Sequence, residues 1–224
     1  MLIREGTQDA LMYREVVVEN EYGLPQRLGP QDVVVDVGAH IGCFALAALT
    51  RGAGRVVCLE PDPDNFRLLA TNTKPYSDRV RLVQAACWGT PAPPEGLRLA
   101  QIARRLLGGV RATAMPTCVP GTGDAVGAVS LDDLLEELPP RVALLKLDCE
   151  GSEWPILFTS EGLARVERIV GELHPRLVRR EWSDWDCTAQ GARRRLESVG
   201  FVVSVGARGG RDPNLMLALD ARRG

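Results

Sequence analysis

Four polar side chains follow two apolar runs of the sequence, at positions suited to proton chemistry. Asp148 and Glu150 end one run, and Glu172 and His174 end the next. In each pair the spacing of two residues puts both side chains on one face of an extended chain. Imidazole titrates near neutral pH, so His174 suits proton removal, with Asp148 as the next choice. We therefore predict His174 and Asp148 as catalytic residues, and Glu150 and Glu172 as groups that bind a substrate.

Other interpretations of these residues stay open. His174 precedes Pro175 and could serve packing alone. Asp148 and Glu150 could orient a cofactor rather than react. Carboxylates and an imidazole together are also able to bind a divalent metal, but their spacing is not typical of a metal site, and we predict none.

A glycine-containing turn, DVGAHIG at 36–42, follows an earlier apolar run and opens a helix. Glycine lets the backbone turn sharply and approach a ligand closely. Ligands bind at the carboxyl ends of strands in open α/β sheets. Glu60 ends the next strand, 24 residues after Asp36, where a carboxylate can accept hydrogen bonds from both ribose hydroxyls. The pattern indicates a nucleoside-binding site.

The details of this turn favour S-adenosylmethionine over a nicotinamide dinucleotide. A dinucleotide site prefers G-x-G-x-x-G, whereas only Gly38 and Gly42 are present. The Asp36 carboxylate would repel a pyrophosphate but suits a sulfonium or amino group. The glycines could instead serve helix packing, and Glu60 could be a solvated acid. The predicted cofactor residues are Asp36, Gly38, Ala39, His40, Gly42, Glu60, Pro61 and Asp148.

Two tryptophans follow the strand that ends near His174. Trp182 and Trp185 lie in the polar stretch REWSDWD. Aromatic side chains there could shape a substrate pocket, and we predict Trp182 as a substrate-binding residue. Local packing of the loop is an equally good interpretation.

Apolar runs predict the elements that position these residues. The runs at 33–37, 56–60, 80–86, 142–149 and 168–173 are typical of strands buried on both faces of a parallel sheet. The runs at 201–205 and 215–219 predict a closing hairpin. Helices are expected between the strands, with caps at Asp62, Ser130 and Ser152. The predicted fold class is α/β: a Rossmann-like, mostly parallel seven-stranded sheet with helices on both faces and an antiparallel C-terminal strand.

The chain is expected to form one domain over residues 1–224. Residues 1–30 would form an N-terminal cap before the sheet. The stretch 89–129 is rich in Pro and Gly and has one short helical pattern near 102–107. We interpret it as an insertion or lid over the active site, because a long structureless loop inside a compact domain is unusual.

Composition excludes several classes of protein. A net charge of -2 over 224 residues gives no electrostatic footprint for nucleic acid or membrane. No apolar stretch approaches the length of a membrane span. Six cysteines have no metal-typical spacing, which favours a reduced, cytoplasmic protein. We expect a monomer or homodimer that acts on a small molecule.

Several segments, in this order, resemble the FkbM-type methyltransferases. They are DVGAHIG at 36–42, LEPDPDNFRLLATN at 59–72, SLDDLL at 130–135, LLKLDCEGSEWPIL at 144–157 and GELH at 171–174. The match covers residues 15–205, and KLDCEGSE is its most specific part.

The resemblance implies a class I methyltransferase fold and methyl transfer, most often to a hydroxyl oxygen of a polyketide, a sugar or another secondary metabolite. It implies that Asp36, Gly38 and Glu60 contact the cofactor and that the adenine lies near Ala86 and Cys87. The sequence departs from the family pattern in having histidine at position 40, where asparagine is frequent, and in the region 89–129, which lacks a strand-rich pattern.

Four functions therefore compete. The first is O-methylation of a small or medium-sized hydroxylated metabolite. The second is methylation of a nitrogen or a carboxylate; a carboxylate acceptor needs no general base. The third is a non-catalytic scaffold that binds S-adenosylmethionine. The fourth, a nicotinamide dehydrogenase, is opposed by the missing third glycine.

Overall fold

A computed structural model describes residues 1–91, 97–101, 116–120, 125–207 and 216–224. In chain order the strands are β1 (Val33–Val37), β2 (Arg55–Leu59), β3 (Val80–Val83), β4 (Ala86–Trp88), β5 (Leu97–Gln101), β6 (Pro116–Pro120), β7 (Ala125–Val126), β8 (Ala128–Ser130), β9 (Leu144–Leu147), β10 (Arg168–Leu173), β11 (Phe201–Gly206) and β12 (Leu217–Arg223). The α-helices are α1 (Asp9–Tyr13), α2 (Cys43–Thr50), α3 (Pro63–Thr73), α4 (Leu131–Glu136), α5 (Glu153–Thr159) and α6 (Ala189–Ser198). A π-helical turn spans Arg14–Val18, and 3₁₀ turns span Lys74–Tyr76, Gly162–Arg165, Pro175–Leu177 and Arg180–Trp182.

Seven of the described strands form the main sheet, in the order β11-β12-β10-β9-β1-β2-β3. The neighbours from β10 to β3 pair in parallel, whereas β12 is antiparallel to both β10 and β11. The predicted fold class is therefore confirmed. No helix in the described ranges combines the length and apolarity needed to cross a membrane.

The strand β1 contributes to both apolar cores of the molecule. Val34 belongs to a cluster with Phe44 and Leu69 on one side of the sheet, and Val35 to a cluster with Trp154 on the other. Successive side chains of a strand point to opposite faces, so a strand covered on both sides is apolar at most positions. This is why the central strands appear in the sequence as continuous Val and Leu runs. The exceptions in β1 and β9 are Asp36 and Lys146, which pair with each other.

Two of the predicted helix caps are confirmed. The Asp62 carboxylate accepts hydrogen bonds from the backbone N–H groups of Asp64 and Asn65 at the start of α3. The Ser130 hydroxyl accepts from the N–H of Asp133 at 3.0 Å, at the start of α4. Each side chain satisfies backbone donors that have no partner within the helix.

The predicted cap at Ser152 is wrong. Ser152 has helical dihedral angles, and its hydroxyl donates to the carbonyl of Cys149 at 3.3 Å. The Glu153 carboxylate instead accepts the N–H groups of Cys149 at 2.7 Å and Gly151 at 2.8 Å. Pro155, the third residue of α5, has no N–H, and the N–H of Trp154 donates to the carbonyl of Gly151 at 3.4 Å, so the serine hydroxyl has no helix amide to accept.

The predicted strand at 80–86 is shorter than expected. It stops at Val83, and β4 after it pairs in parallel with β8 in a separate two-stranded sheet.

The region 89–129 also differs from expectation, because it contains strands. The strands β6, β5 and β7 form a third, antiparallel sheet in that order. Pro116 and Pro120 lie in β6, an edge strand of this sheet, where the missing proline N–H is tolerated. Proline-rich composition therefore concealed strands, while the helical pattern at 102–107 lies outside the described residues.

Gly171 lies in β10, between β9 and β12. A Cβ atom at this position would overlap the carbonyl oxygen of Leu147 on β9. Gly206, in β11, has open space where its Cβ would be. Alanine at each of these two positions therefore distinguishes the effect of a clash between strands from the general effect of replacing a glycine in a strand.

We expect Gly171→Ala to lower the free energy of unfolding by about 2 kcal/mol or more, because backbone atoms of a central strand must move. Gly206→Ala should change it by no more than about 0.5 kcal/mol. Urea denaturation followed by circular dichroism measures both. Equal effects of the two substitutions would contradict the packing described for β9 and β10.

Candidate active site

The carboxyl ends of β1, β2 and β9 line one cleft of about 740 Å³, a volume that includes space open to solvent. A cleft at this edge is where parallel α/β sheets bind ligands. The predicted site residues that line it are Gly38, Ala39, His40, Glu60, Pro61, Ala86, Cys87, Asp148 and Glu150. Those outside its lining are Asp36, Gly42, Glu172, His174 and Trp182.

The turn after β1 is fixed to the end of β2. The N–H groups of Gly38 and Ala39 both donate to the carbonyl of Leu59 at 3.0 Å. Gly38 and His40 have positive φ angles of 78° and 51°. A Cβ on Gly38 would overlap the carbonyl oxygen of Asp148, so glycine is needed there for both conformation and close approach. The turn is thereby held against both neighbouring strands.

Gly42 serves packing, as the alternative interpretation of the glycines allowed. Its φ is 93°, and a Cβ there would lie 2.9 Å from Cδ1 of Leu69 on α3. Gly42 lets α2 begin close to α3 and does not face the cleft.

Glu60 organises the mouth of the cleft. Its Oε2 accepts the N–H of His40 at 2.8 Å, and its Oε1 accepts the N–H of Asp62 at 2.9 Å. Burial raises the pKa of Glu60 to about 7, although the hydrogen bonds from Asp62 and His40 act in the opposite direction. Nδ2 of Asn65 also donates to Oε1 at 3.4 Å, so Oε2 is the oxygen with capacity for a further hydrogen bond. Glu60 is thus a preformed acceptor at the end of β2.

Asp36 lies beneath the cleft rather than in its wall. It is fully buried, and its Oδ1 lies 3.2 Å from Nζ of Lys146. Lys146 also donates to the carbonyl of Gly38 at 2.7 Å and lies 3.9 Å from Oδ2 of Asp148. Burial alone would lower the pKa of Lys146, but Asp36 and Asp148 outweigh it and raise that pKa. The position of Asp36 corrects the expectation of direct cofactor contact, because the carboxylate neutralises a buried ammonium.

Lys146 and Tyr22 are functional candidates that the sequence interpretation missed. Lys146 lines the cleft, and the one signal for it was a charge inside an apolar strand. Tyr22 comes from the N-terminal segment, and its hydroxyl donates to Oδ2 of Asp148 at 2.7 Å. Burial and then Asp148 raise the pKa of Tyr22, so the phenol stays protonated and able to donate. Met12 and Val16 of the same segment also line the cleft.

His40 lines the cleft but is held from outside by the N-terminal segment. Its Nε2 lies 3.3 Å from Nη2 of Arg4 and 3.5 Å from Oδ1 of Asp9. Arg4 itself binds Asp9 and donates to Oδ1 of Asn65 at 2.8 Å. Burial lowers the pKa of His40 to about 4, and Arg4 contributes in the same direction. His40 is therefore a neutral imidazole at neutral pH.

His174 lies behind the cleft wall. Its Nδ1 is 3.1 Å from Oε1 of Glu153, and its Nε2 is 3.7 Å from Oε2 of Glu150. Burial alone would lower its pKa, but Glu153 and Glu150 outweigh burial and raise it well above the usual value. A protonated imidazole has no lone pair to accept a proton. This geometry argues against His174 as the general base, because its carboxylate neighbours hold it as a cation.

The same neighbourhood brings together potential metal ligands. One atom each from Asp148, Glu153 and His174 lie within 4.8 Å of one another. Both Glu153 oxygens already accept backbone N–H groups, and His174 is held protonated. The arrangement favours an ion-pair chain over metal coordination.

Glu172 and Trp182 do not face the cleft. Glu172 is buried on β10, outside the cleft lining. Trp182 is buried against Trp88 and Trp185, with ring centroids 5.8 Å and 6.0 Å away. Local packing is therefore the better interpretation of Trp182, since its neighbours are other aromatic rings. Neither position supports the predicted substrate contact.

The two histidines should differ in charge at neutral pH. His40, with a pKa of about 4, should be neutral from pH 6 to 8, whereas His174 should remain protonated there because of its carboxylate neighbours. Nitrogen-15 NMR of the imidazoles resolves the two states, and the His40→Gln variant assigns the signals. A His174 signal that titrates near its usual value of about 6.5 would contradict the ion-pair chain.

Comparisons with known proteins agree with this geometry. Residues 36–203 match the model of the methyltransferase FkbM domain. The chain is 30% identical over 193 residues to the 31-O-demethyl-FK506 methyltransferase FkbM of Streptomyces tacrolimicus, with 73% of this chain and 74% of the relative covered.

Solved structures show the same fold. One match is a Streptococcus mutans protein, assigned provisionally as a methyltransferase and solved in complex with S-adenosylhomocysteine. Its TM-score is 0.56, with 9% identity over 100% of both chains. The precorrin-6y C5,15-methyltransferase of Geobacter metallireducens matches with a TM-score of 0.50 and 16% identity, over 100% of this chain and 93% of that one. The family match over residues 36–203, together with the 30% identical relative, shows that the chain belongs to the FkbM methyltransferase family.

Proposed function

We propose that this FkbM-type methyltransferase uses S-adenosylmethionine to methylate a hydroxyl oxygen of a small or medium-sized metabolite, such as a polyketide, a sugar or another secondary metabolite. The observation that carries the proposal is the Glu60 carboxylate, buried at the end of β2 yet lining the cleft. The backbone N–H groups of His40 and Asp62 hold it in place. A fixed acceptor at this strand end suits a ribose hydroxyl.

The cleft beside Glu60 fits the remaining parts of such a cofactor. Pro61, Ala86 and Cys87 provide an apolar wall, and the last two are buried. An apolar wall suits a flat nucleobase. Farther along, Asp148 provides a carboxylate with Tyr22 as its hydrogen-bond donor, which suits a cationic group. When bound, S-adenosylmethionine would supply an electrophilic methyl group on a sulfonium.

A hydroxyl acceptor is supported by two observations. The Streptomyces tacrolimicus relative is named for an O-demethyl substrate. In this chain, the side chains of Asp148 and Glu150 line the cleft, where a bound acceptor would lie. A hydroxyl nucleophile gains from a nearby proton acceptor, whereas a carboxylate nucleophile does not.

Several expectations about the surroundings of the protein stay predictions. They are a cytoplasmic location, a monomer or homodimer, a small-molecule acceptor, and independence from nucleic acid and membrane. The near-neutral net charge supports the last of these.

Cofactor binding is tested by calorimetric titration with S-adenosylhomocysteine. We expect binding at micromolar concentration or tighter, and at least about tenfold weaker binding by Glu60→Ala, equivalent to about 1.4 kcal/mol. Asp64→Ala, on the exposed face of the neighbouring α3, is the matched control and should bind like the wild type. Titration with NADH should give no heat of binding. Absence of S-adenosylhomocysteine binding by the folded protein would refute the proposal.

The acceptor atom is tested with S-adenosylmethionine that carries an isotope-labelled methyl group. Hydroxylated macrocycles, monosaccharides and matched amines and carboxylates serve as acceptors, and mass spectrometry locates the label. We expect label on oxygen of a hydroxyl compound. Label on nitrogen or on a carboxylate would replace the O-methyl assignment, and tight cofactor binding without any transfer would favour a scaffold.

A further inference from the structure

Glu150 occupies an unusual backbone conformation beside the cleft. It follows β9 with a φ of +54°, and Gly151 after it has a φ of +111°. A left-handed conformation costs a non-glycine residue about 1–2 kcal/mol, and such strain is found preferentially at functional sites. The result here is that Glu150 lines the cleft, with 15% of its side chain exposed.

We propose that Glu150 is the catalytic base that accepts the proton of the acceptor hydroxyl, and that His174 and Glu153 are positioning residues behind it. This inference rests on the proposed O-methyl transfer. Glu150 faces the cleft and takes the role of general base that the sequence analysis gave to His174, whose ring lies behind the cleft wall.

The three side chains form a chain that leads from the cleft into the core. Oε2 of Glu150 lies 3.7 Å from Nε2 of His174, an ion-pair distance. On its other side the imidazole meets Glu153, with 3.1 Å between Nδ1 and Oε1. A cation between two carboxylates orients both, and only the outer carboxylate lines the cleft.

The inner end of this chain is rigid. Glu153 is fully buried, and its two oxygens accept the N–H groups of Cys149 and Gly151. Those residues flank Glu150, so the same carboxylate that anchors His174 also fixes the strained turn. Nε1 of Trp154 donates to the carbonyl of His174 at 3.1 Å. The position of Glu150 therefore depends on backbone contacts more than on its own side-chain packing.

The surroundings of Glu150 bring its pKa close to neutral pH. The pKa of Glu150 is raised to about 7: burial is the largest cause, His174 and Lys146 act against it, and Asp148 and Glu153 act with it. A general base is most effective when its pKa lies near the working pH. Asp148 is less suited, because its Oδ2 already accepts the Tyr22 hydroxyl and lies near the Lys146 ammonium.

The proposed step balances in atoms and charge. The acceptor oxygen forms a bond to the methyl carbon, and the bond from that carbon to sulfur breaks with its electron pair remaining on sulfur. The hydroxyl proton passes to the ionised Glu150. The products are a methyl ether, neutral S-adenosylhomocysteine and a protonated Glu150, which returns its proton to water afterwards.

The experiment compares wild type, Glu150→Gln and the control Glu161→Gln, whose side chain is exposed on the segment after α5. The probes are S-adenosylhomocysteine for binding and whichever hydroxyl compound of the acceptor panel the wild type methylates fastest. We expect Glu150→Gln to lower kcat by roughly 10²–10⁴-fold and to change S-adenosylhomocysteine affinity by less than about threefold. Glu150→Asp, which retains a carboxylate, should keep part of the turnover, and Glu161→Gln should match the wild type.

A second readout needs no acceptor. Carbon-13 NMR follows the carboxyl signals of the protein. The signal that is missing from the spectrum of Glu150→Gln belongs to Glu150. This assignment separates it from the signal of Glu60, whose pKa is expected in the same range. We expect Glu150 to titrate at about 7. His174→Gln should move this value upward by roughly one unit, since a neighbouring positive charge is removed. With a hydroxyl acceptor, the kcat profile should fall below the same pH and shift in the same direction.

The outcomes separate this inference from the proposed function. A wild type that binds S-adenosylhomocysteine but methylates no hydroxyl compound would overturn O-methyl transfer and the base together. Wild-type turnover by Glu150→Gln, or a Glu150 carboxyl that titrates near its usual value of about 4.3 with or without His174, would overturn the base alone. Glu150→Gln that loses S-adenosylhomocysteine binding would overturn it in favour of a cofactor contact.

Discussion

The buried ammonium of Lys146 is the interaction on which the site depends. It lies 3.2 Å from Asp36 on β1, donates to the carbonyl of Gly38 in the turn, and lies 3.9 Å from Asp148 after β9. A buried charge is tolerated only when it is paired, and breaking such a pair typically costs about 3–5 kcal/mol. One side chain therefore connects two central strands and the turn at 36–42, and its charge allows two carboxylates to lie close to each other.

The two carboxylates after β9 are given different roles by their partners. Oδ2 of Asp148 accepts the Tyr22 hydroxyl and lies next to Lys146, so this oxygen holds the cleft wall. Glu150 has a left-handed backbone conformation, and its carboxylate lies 3.7 Å from Nε2 of His174. Two acidic groups separated by two positions thus differ in environment, which is how one fold gives two carboxylates different roles.

The N-terminal segment is part of the cleft. Tyr22 reaches Asp148, and Arg4 joins Asp9 to the outer face of His40. Leu2 exchanges backbone hydrogen bonds with the side chain of Asn72 on α3. The segment therefore packs on the turn at 36–42 and on α3, and it covers a side of the cleft that the strands do not reach. Low dielectric inside such an enclosure strengthens each charge interaction described above.

The sequence by itself determined the mostly parallel sheet and the glycine turn at 36–42, and it placed Glu60 at a strand end, because apolar periodicity and strand-end residues are local signals. Spacing also brought Glu150 and His174 to the same edge, but spacing cannot say which of them faces a ligand. That depended on the left-handed turn at Glu150 and on the carboxylates that surround His174. The contributions of Lys146 and Tyr22 likewise required the fold, since charge state and hydrogen-bond partner are set by neighbours distant in sequence.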